Sequence, residues 1–329
     1  MASTSTVPMD LNDVSQQEIE KIRSKEQKKR ALKETLTGYA FISPWVIGFL
    51  VLTVTAMGYS LYLSFTTYNV FSPPEWVGLE NYQRIFDALN PFSDARGDAR
   101  FVNSLQRTLI FAFTSVPLRL AVALGVALLF KKQRKGTTLF TTLYYIPSII
   151  GGSVAVAIIW RQLFSYTGVF NEVLRIFGFN GYAWLSSPRT AIWMLVLLSL
   201  WQFGAPMIIF LAGLRQIPQE LYEAASIDGA SSFSQFRKIT LPMLSPVIFF
   251  NLVMALIGGF QVFNSAFLIT EGGPLDSTFF YALHIYHQAF TYSRMGYASA
   301  LGWVMLVFIV AITALVFAGQ KRWVHYSSE

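Results

Sequence analysis

The segment GYASALGWVMLVFIVAITALVFA, residues 296–318, carries no charged side chain over its 23 residues. About 20 apolar residues in a helix cross the roughly 30 Å hydrocarbon layer of a bilayer, so this segment predicts a transmembrane helix. Five earlier apolar blocks have similar lengths, at residues 39–65, 108–130, 139–164, 190–214 and 243–268. The sequence therefore predicts an all-α membrane protein with six transmembrane helices.

The composition of the whole chain agrees with this prediction. Of the 329 residues, 53% are hydrophobic and only 13% are charged, whereas an ordinary soluble domain has about 25% charged residues. The chain has no cysteine, which excludes disulfides, a thiolate nucleophile, iron–sulfur clusters and cysteine zinc sites. The net charge of +7 is typical of a membrane protein with basic cytoplasmic loops, so we expect no nucleic-acid partner.

Lys and Arg side chains are unevenly distributed between the two ends of the six blocks. Sixteen lie in residues 1–37, in the loops after the second and fourth blocks, or beyond the last block, and eight lie at the opposite ends. Cytoplasmic loops are enriched in these residues, so both termini are predicted to be cytoplasmic. We expect a bacterial cell inner membrane as the location, and anionic lipid as a partner of the basic segment before the first span.

The predicted organisation has three parts. Residues 1–37 form a charged cytoplasmic N-terminal segment, residues 38–319 the transmembrane domain, and residues 320–329 a cytoplasmic tail. The first apolar block is too long for the core of a signal peptide and is predicted to be an uncleaved span.

Motifs for independent chemistry are missing from the sequence. The chain has no Gly-rich phosphate loop ending in Gly-Lys-Ser or Gly-Lys-Thr, so it does not bind ATP in that way. His284 and His287 form an HxxH pair without a third ligand, which we interpret as a plain interfacial pair rather than a metal site. Carboxylates are essentially missing from the spans, which disfavours the main alternative, an ion-coupled secondary transporter. An intramembrane enzyme is disfavoured because no nucleophile–base or metal motif is present.

The loop between the fourth and fifth blocks reads QIPQELYEAASIDGASSFSQFRKITLP, residues 216–242. Pro218 suits a helix start, and good helix formers follow it. Gly229 is predicted to end this first helix, because glycine readily adopts the positive φ of a C-cap. Phe233, Phe236 and Ile239 then recur at three-residue spacing. The pattern predicts a helix, a turn and a second helix.

This loop resembles the EAA loop of permease subunits from bacterial ABC importers. The matching residues are Glu223-Ala224-Ala225, Gly229, Ile239 and Leu241-Pro242, at the family's spacing. Three flanking stretches are similar to the carbohydrate-importer branch, the maltose and glycerol-phosphate type. They are WVGLENY at 76–82, YIP at 145–147 and TEGGP at 270–274.

The resemblance implies a type I ABC importer permease that works by alternating access and is not itself an enzyme. It implies three partner chains and a delivery protein: a second related permease subunit, two ATP-binding subunits that hold ATP and Mg, and an extracytoplasmic solute-binding protein. This chain would bind no cofactor. Residues 66–107 and 271–281 would face the solute-binding protein, or simply cap the bundle. We expect an interfacial helix around residues 80–89 within the first of these segments. The loop would dock on an ATP-binding subunit through Glu220, Glu223, Ala224, Ala225, Asp228, Gly229, Ile239, Leu241 and Pro242.

The fifth block carries an unusual polar stripe. At 100° per residue, Asn251, Met254, Gly258, Gln261 and Ser265 fall within about one quarter of a helix circumference. Such groups need partners in a membrane, from another helix or from a water-filled cavity. Amides suit sugar hydroxyls, and the resemblance implies a sugar site midway through the membrane. The substrate-path candidates in this block are Asn251, Gly258, Gln261 and Asn264.

Further candidates lie in the preceding spans. Gln202 with Trp201, and Tyr145, could flank a sugar, although aromatic residues near span ends are also common interfacial anchors. Arg119 lies near the middle of the second span, where a cation needs a partner. That partner is a backbone carbonyl, a neighbouring polar side chain, the second permease chain, or the carboxylate of an acidic sugar. An acidic oligosaccharide such as alginate is therefore one expected substrate class, with the individual sugar left open.

Overall fold

The computed structural model describes residues 11–89, 98–132 and 135–325, with side chains described from residue 23 onward except Glu26. Two arginines counted for orientation, Arg96 and Arg134, lie outside the described residues. The same holds for residues 1–10 of the predicted N-terminal segment and 326–329 of the predicted tail.

The chain divides into two compact units, one up to Tyr62 and one from Leu63 onward. Helix α1 (Leu11–Gly48) continues through a π-helical stretch (Phe49–Val54) into α2 (Thr55–Ser64), whose last two residues lie beyond the first unit. The charged residues before the first apolar block therefore lie on the same continuous helix as that block. The part of it from Arg23 to Ser64 is long and apolar enough to cross a membrane.

The second unit begins with a short antiparallel pair, β1 (Thr66–Thr67) and β2 (Glu75–Trp76). Twelve α-helices follow in the described residues, together with three π-helical turns. The helices are α3 (Glu80–Leu89), α4 (Ala99–Phe130), α5 (Thr137–Ile150), α6 (Val154–Leu163), α7 (Val169–Ile176), α8 (Ala191–Trp201), α9 (Gly204–Gln216), α10 (Gln219–Ile227), α11 (Ser232–Gln235), α12 (Leu241–Phe260), α13 (Tyr281–Tyr286) and α14 (Met295–Gln320). The π-helical turns are Phe236–Thr240, Ala266–Thr270 and His287–Thr291.

Four continuous helices in the described residues are long and apolar enough to span a membrane: Arg23–Ser64, Ala99–Phe130, Ser232–Phe260 and Met295–Gln320. The predicted third and fourth spans are bent pairs instead. Helices α5 and α6 meet at 98°, and α8 and α9 meet at 42°. The structure thus has four continuous candidate spans among the described residues, and six if each bent pair is counted as one span.

The two breaks pack closely against each other. A side chain at Gly151, between α5 and α6, would collide with the side chain of Gln202, between α8 and α9. A side chain at Gly204, the first residue of α9, would collide with the backbone of Tyr144 and Tyr145 on α5. Glycine allows this approach because it has no Cβ.

The fifth block also differs from its prediction. Helix α12 ends at Phe260. Val262 and Phe263 are not helical, and the chain becomes helical again at Asn264. The predicted polar stripe therefore does not continue as one helix face from Gly258 to Ser265.

The core of the second unit is built around α4. One buried cluster joins α4 to α9 and α12 through Ala112, Val116, Met207, Phe210 and Leu244. Contacts of this kind, between apolar stripes on neighbouring helices, hold the polar segments at the breaks in place.

The helix expected at residues 80–89 is present as α3. Its Ile85 is fully buried, in a cluster with Phe101 and Leu301. Asn81 Nδ2 donates to the carbonyl oxygens of Ser64 and Thr66, both at 3.0 Å. Helix α3 is thereby fastened to the chain that precedes it.

Candidate functional site

A polar cavity of about 330 Å³ lies where the helix breaks meet. Its walls come from α4, from the turn between α5 and α6, from α8 and from the end of α12. A cavity of this size suits a small-molecule site when a few polar groups converge on it. Its polar lining includes Ser115, Arg119, Gln202, Gln261, Asn264 and Ser265.

The break after α8 leaves the Gln202 carbonyl oxygen available to side chains. It accepts hydrogen bonds from Arg119 Nε at 3.1 Å and from Arg119 Nη2 at 2.7 Å. The hydroxyl of Ser148 on α5 donates to the same oxygen at 2.9 Å, and it accepts from the N–H of Ala205 at 3.0 Å. Backbone groups freed by a helix break within the apolar layer need such partners. The break is therefore held by hydrogen bonds from α4 and α5.

The structure brings five of the eight predicted substrate-path residues to this cavity. Besides Arg119 and Gln202, they are Gly258, Gln261 and Asn264. Of the partners considered for Arg119, the structure shows a backbone carbonyl, that of Gln202. Gly258 lies near the end of α12 and Gln261 lies in the turn that follows it. Both residues reach the cavity from this helix end rather than from one continuous helix face.

The other three predicted residues lie elsewhere. Asn251 is buried on α12 about two turns before Gly258, and its side-chain amide donates to the Val247 carbonyl at 3.2 Å. The Trp201 ring packs on Trp160, with centroids 6.1 Å apart. Tyr145 on α5 is 36% exposed, and neither aromatic residue lines the cavity.

Several cavity residues were not predicted from the sequence. Ser115 and Ser199 line the cavity. Ser148 contributes through its hydrogen bond to the carbonyl oxygen of Gln202. Isolated serines in apolar blocks are common and give little signal. The Gly151-Gly152 pair and the residues Gln202-Phe203-Gly204 are helix-breaking signals that could have indicated this place.

The loop at 216–242 has the predicted helix, turn and helix. Helix α10 ends at Ile227, and Gly229 has φ of +76°. The N–H of Ala230 donates back to the Ala225 carbonyl at 2.8 Å, and the Ser231 side chain caps α11. A glycine in the left-handed region is the usual way to end a helix.

One face of α10 is anchored and the other is exposed. The Tyr222 hydroxyl lies 2.9 Å from Thr240 Oγ1, and Lys131 Nζ lies 3.5 Å from the centre of the Tyr222 ring, a cation–π contact. On the second half of the loop, Ile239, Leu241 and Pro242 are partly buried. The exposed predicted docking residues are Glu220, Glu223, Ala224, Asp228 and Gly229, and Ala225 is partly exposed.

Ile227 and Phe233 add a large apolar surface to this exposed face. Their side chains are 87% and 72% exposed. Apolar side chains that stand out beside small residues are typical of a surface that another protein covers.

A buried polar cluster, not predicted from the sequence, lies at the beginning of α4. Asp98 Oδ2 accepts from His284 Nε2 at 2.9 Å, from the Tyr297 hydroxyl at 3.0 Å and from Gln288 Nε2 at 3.4 Å. His284 is fully buried. The prediction of a plain interfacial histidine pair is therefore wrong for His284, because its ring lies inside the protein against a carboxylate.

Asp98 also caps helix α4. Its Oδ1 accepts from the backbone N–H groups of Arg100 at 3.1 Å and Phe101 at 3.2 Å. Burial alone would raise the pKa of Asp98, but the hydrogen bond and charge of His284, with the Tyr297 hydroxyl, outweigh it and lower that pKa to about 2. For the neighbouring His287, burial and the positive charge of Arg100 lower the pKa.

Comparison with known proteins assigns the chain to a family. Residues 95–325 match the family described as the inner membrane component of binding-protein-dependent transport systems. The chain belongs to this family. The matched range contains the cavity, the 216–242 loop and the Asp98 cluster, so all three are features of the inner membrane component itself.

Relatives of this inner membrane component include ABC transporter permeases, two of which are named for the sugars they transport. A probable ABC transporter permease protein of Bacillus subtilis, YesP, is 49% identical over 92% of this chain and 96% of its own length. The arabinooligosaccharides transport system permease AraP, also of Bacillus subtilis, is 33% identical over 84% of this chain and 86% of its own. The sulfoquinovosyl glycerol permease SmoG of Agrobacterium fabrum is 32% identical over 86% and 90%. The resemblance to carbohydrate-importer permeases is thus confirmed.

The same fold is found in a solved structure. A chain in the crystal structure of a bacterial alginate ABC transporter, in complex with its alginate pentasaccharide-bound periplasmic protein, aligns with a TM-score of 0.75. The alignment covers 89% of this inner membrane component and 96% of that chain, at 23% sequence identity.

Proposed function

We propose that this chain is one permease subunit of an ATP-driven importer of oligosaccharides. The observation that carries the proposal is the cavity at the helix breaks, where amide side chains of Gln202, Gln261 and Asn264 meet inside the apolar part of the protein. Amides both donate and accept hydrogen bonds, as sugar hydroxyls do. The names of the relatives AraP and SmoG, which transport arabinooligosaccharides and sulfoquinovosyl glycerol, support a sugar as the substrate.

The chain works by alternating access in this proposal. A second related permease subunit completes the translocation path, and two ATP-binding subunits bind and hydrolyse ATP with Mg. Helix α10 transmits their movement, since the exposed Glu223 and Ala224 on the helix and Gly229 in the turn after it allow another protein to approach the backbone closely. A solute-binding protein delivers the sugar, as the name of the family and the periplasmic protein of the alginate transporter suggest.

The proposed placement is a bacterial inner membrane with both termini in the cytoplasm. Residues 38–319 form the transport domain, and the 216–242 loop then faces the ATP-binding subunits. No cofactor is needed on this chain, because the polar groups at the cavity bind and orient sugar without changing it.

Uptake by the complete transporter tests this proposal. The subunits and the solute-binding protein, co-expressed and reconstituted into proteoliposomes, should accumulate an oligosaccharide only when ATP is enclosed on the side of α10. Accumulation driven by an ion gradient without ATP would contradict the proposal and support a secondary transporter.

A further inference from the structure

Arg119 is the one ionisable side chain among the described residues that line the cavity. Its guanidinium makes two hydrogen bonds, both to the uncharged Gln202 carbonyl. No carboxylate of the described residues pairs with it, since the four described ion pairs involve Arg100, Arg161, Arg175 and His284. The cavity therefore carries an uncompensated positive charge within an apolar layer, where a cation is costly.

The two hydrogen bonds occupy a defined edge of the guanidinium. They use Nε and one N–H of Nη2, which together form the side edge of the planar group. Arginine has five N–H donors, so the end edge, formed by Nη1 and the other N–H of Nη2, remains for another partner. Two parallel N–H groups on such an edge match the two oxygens of a carboxylate.

The position of this edge is fixed by the surrounding structure. Gln202 is held by the Ser148 hydroxyl at 2.9 Å as well as by Arg119. Gly151 allows the Gln202 side chain to pack directly against the α5–α6 turn. A guanidinium held in this way loses little freedom when it binds an anion, which favours affinity.

The rest of the cavity selects the kind of anion. Gln261 and Asn264 offer amides, and Ser115 and Ser199 offer hydroxyls. A single charge surrounded by neutral hydrogen-bonding groups matches a ligand with one carboxylate among several hydroxyls. A uronate residue of an oligosaccharide has this arrangement.

We propose that the cavity takes acidic oligosaccharides and that Arg119 binds the carboxylate of a uronate residue. This inference rests on the proposed function, because it assigns the substrate class of the same cavity. Arg119 is then the residue that distinguishes an acidic from a neutral oligosaccharide during transport.

Paired substrates test this assignment. The complete transporter with its solute-binding protein, in proteoliposomes, is given short oligogalacturonates and oligomannuronates. Each is matched with a carboxyl-reduced counterpart of the same linkage and length. The wild type should take up an acidic oligosaccharide with a kcat/KM at least ~10-fold above its neutral counterpart, because a bidentate arginine–carboxylate pair is a strong, charge-assisted contact.

Variants of Arg119 separate charge recognition from structure. Arg119→Gln should lower kcat/KM for the acidic oligosaccharide by about 10- to 100-fold and leave the neutral counterpart within about twofold of the wild type. Arg189→Gln is the control, because Arg189 is exposed just before α8, outside the cavity and outside the segments expected to meet a partner, and should change neither substrate. If Arg119→Gln does not assemble, Arg119→Lys keeps the charge without the planar edge, and should reduce the acidic preference alone.

Each other outcome overturns the assignment in an identifiable way. An equal loss for both substrates would give Arg119 a structural role or a partner on the second permease chain. If the transporter took up only neutral oligosaccharides in an ATP-dependent way, the assignment of an acidic substrate would be wrong and the proposed function would still hold. If an assembled transporter took up no oligosaccharide in an ATP-dependent way, both the acidic substrate class and the proposed function would be wrong.

Discussion

His284 Nε2 donates a 2.9 Å hydrogen bond to Asp98 Oδ2, across 186 residues of sequence. Because Asp98 also caps α4 and accepts from Tyr297 on α14, this one carboxylate joins three helical elements. A buried charge stabilises a fold only when its hydrogen bonds are satisfied. The cluster thus holds the beginning of α4, the helix around which the core is built.

Removal of the Asp98 carboxylate should therefore destabilise the protein. Asp98→Ala leaves the buried donors of His284, Gln288 and Tyr297 without an acceptor, at an expected cost of about 3 kcal/mol. Thermal unfolding of the purified protein in detergent measures the loss. Asp276→Ala is the control, since the exposed pair of Asp276 with Arg100 should contribute less than about 1 kcal/mol. Equal effects of the two variants would contradict a special role for Asp98.

The contribution of Asp98 should also depend on pH. Its pKa in the folded protein is lowered to about 2, below the roughly 3.9 of an unperturbed Asp. The stabilisation is therefore complete above pH ~4 and is lost as the pH falls towards ~2. The difference in unfolding temperature between wild type and Asp98→Asn should shrink over that interval. A difference that is constant or grows as the pH falls would show that the charge of Asp98 is not responsible.

Close packing at the start of α9 should not tolerate a side chain. Gly204→Ala places a Cβ against the backbone of Tyr144 and Tyr145, and we expect a loss of about 1–3 kcal/mol. Gly302→Ala on α14 is the control, because a Cβ there has open space and alanine favours the helix. Thermal unfolding compares the two. A Gly204→Ala protein as stable as Gly302→Ala would show that the two breaks do not need this contact.

The turn after α10 should matter for coupling more than for folding. Gly229 and Gly178 have φ of +76° and +82°, and neither has a neighbour that a Cβ would meet. Alanine at either position thus carries the same backbone cost of about 1 kcal/mol. Gly229→Ala should reduce ATP-driven uptake by about 10-fold, since it distorts the exposed turn proposed to meet the ATP-binding subunit.

Gly178→Ala should keep uptake within about twofold of the wild type, because it applies the same strain at a different loop. The direct measurement is uptake per assembled transporter. Equal losses in both variants would assign the effect to backbone strain rather than to the α10 turn.

Local sequence patterns predicted a large part of this structure. The long apolar blocks, helix α3 over residues 80–89 and the end of α10 near Gly229 depend on hydrophobic length and on glycine chemistry within a few residues. The 98° bend between α5 and α6 could not be predicted in this way, because it depends on Gly151 packing against Gln202, which is distant in sequence.

The candidate site, too, could be predicted from the sequence only in part. Arg119 and Gln261 could be predicted as candidates because polar side chains are rare in apolar blocks. The end of α12 at Phe260 and the pairing of Asp98 with His284 depend on tertiary contacts that no periodicity encodes. A helical wheel places Asn251 and Gly258 on one face of α12, whereas only the last part of α12 lines the cavity.

ATPase activity of the reconstituted complex is the most direct test of the central claim that this chain is the permease subunit of an oligosaccharide importer. The ATP-binding subunits should co-purify with the chain, and the solute-binding protein loaded with its oligosaccharide should stimulate ATP hydrolysis several-fold over the unloaded protein. Failure of any ATP-binding subunit to co-purify, or hydrolysis that loaded binding protein does not change in an intact complex, would contradict the claim.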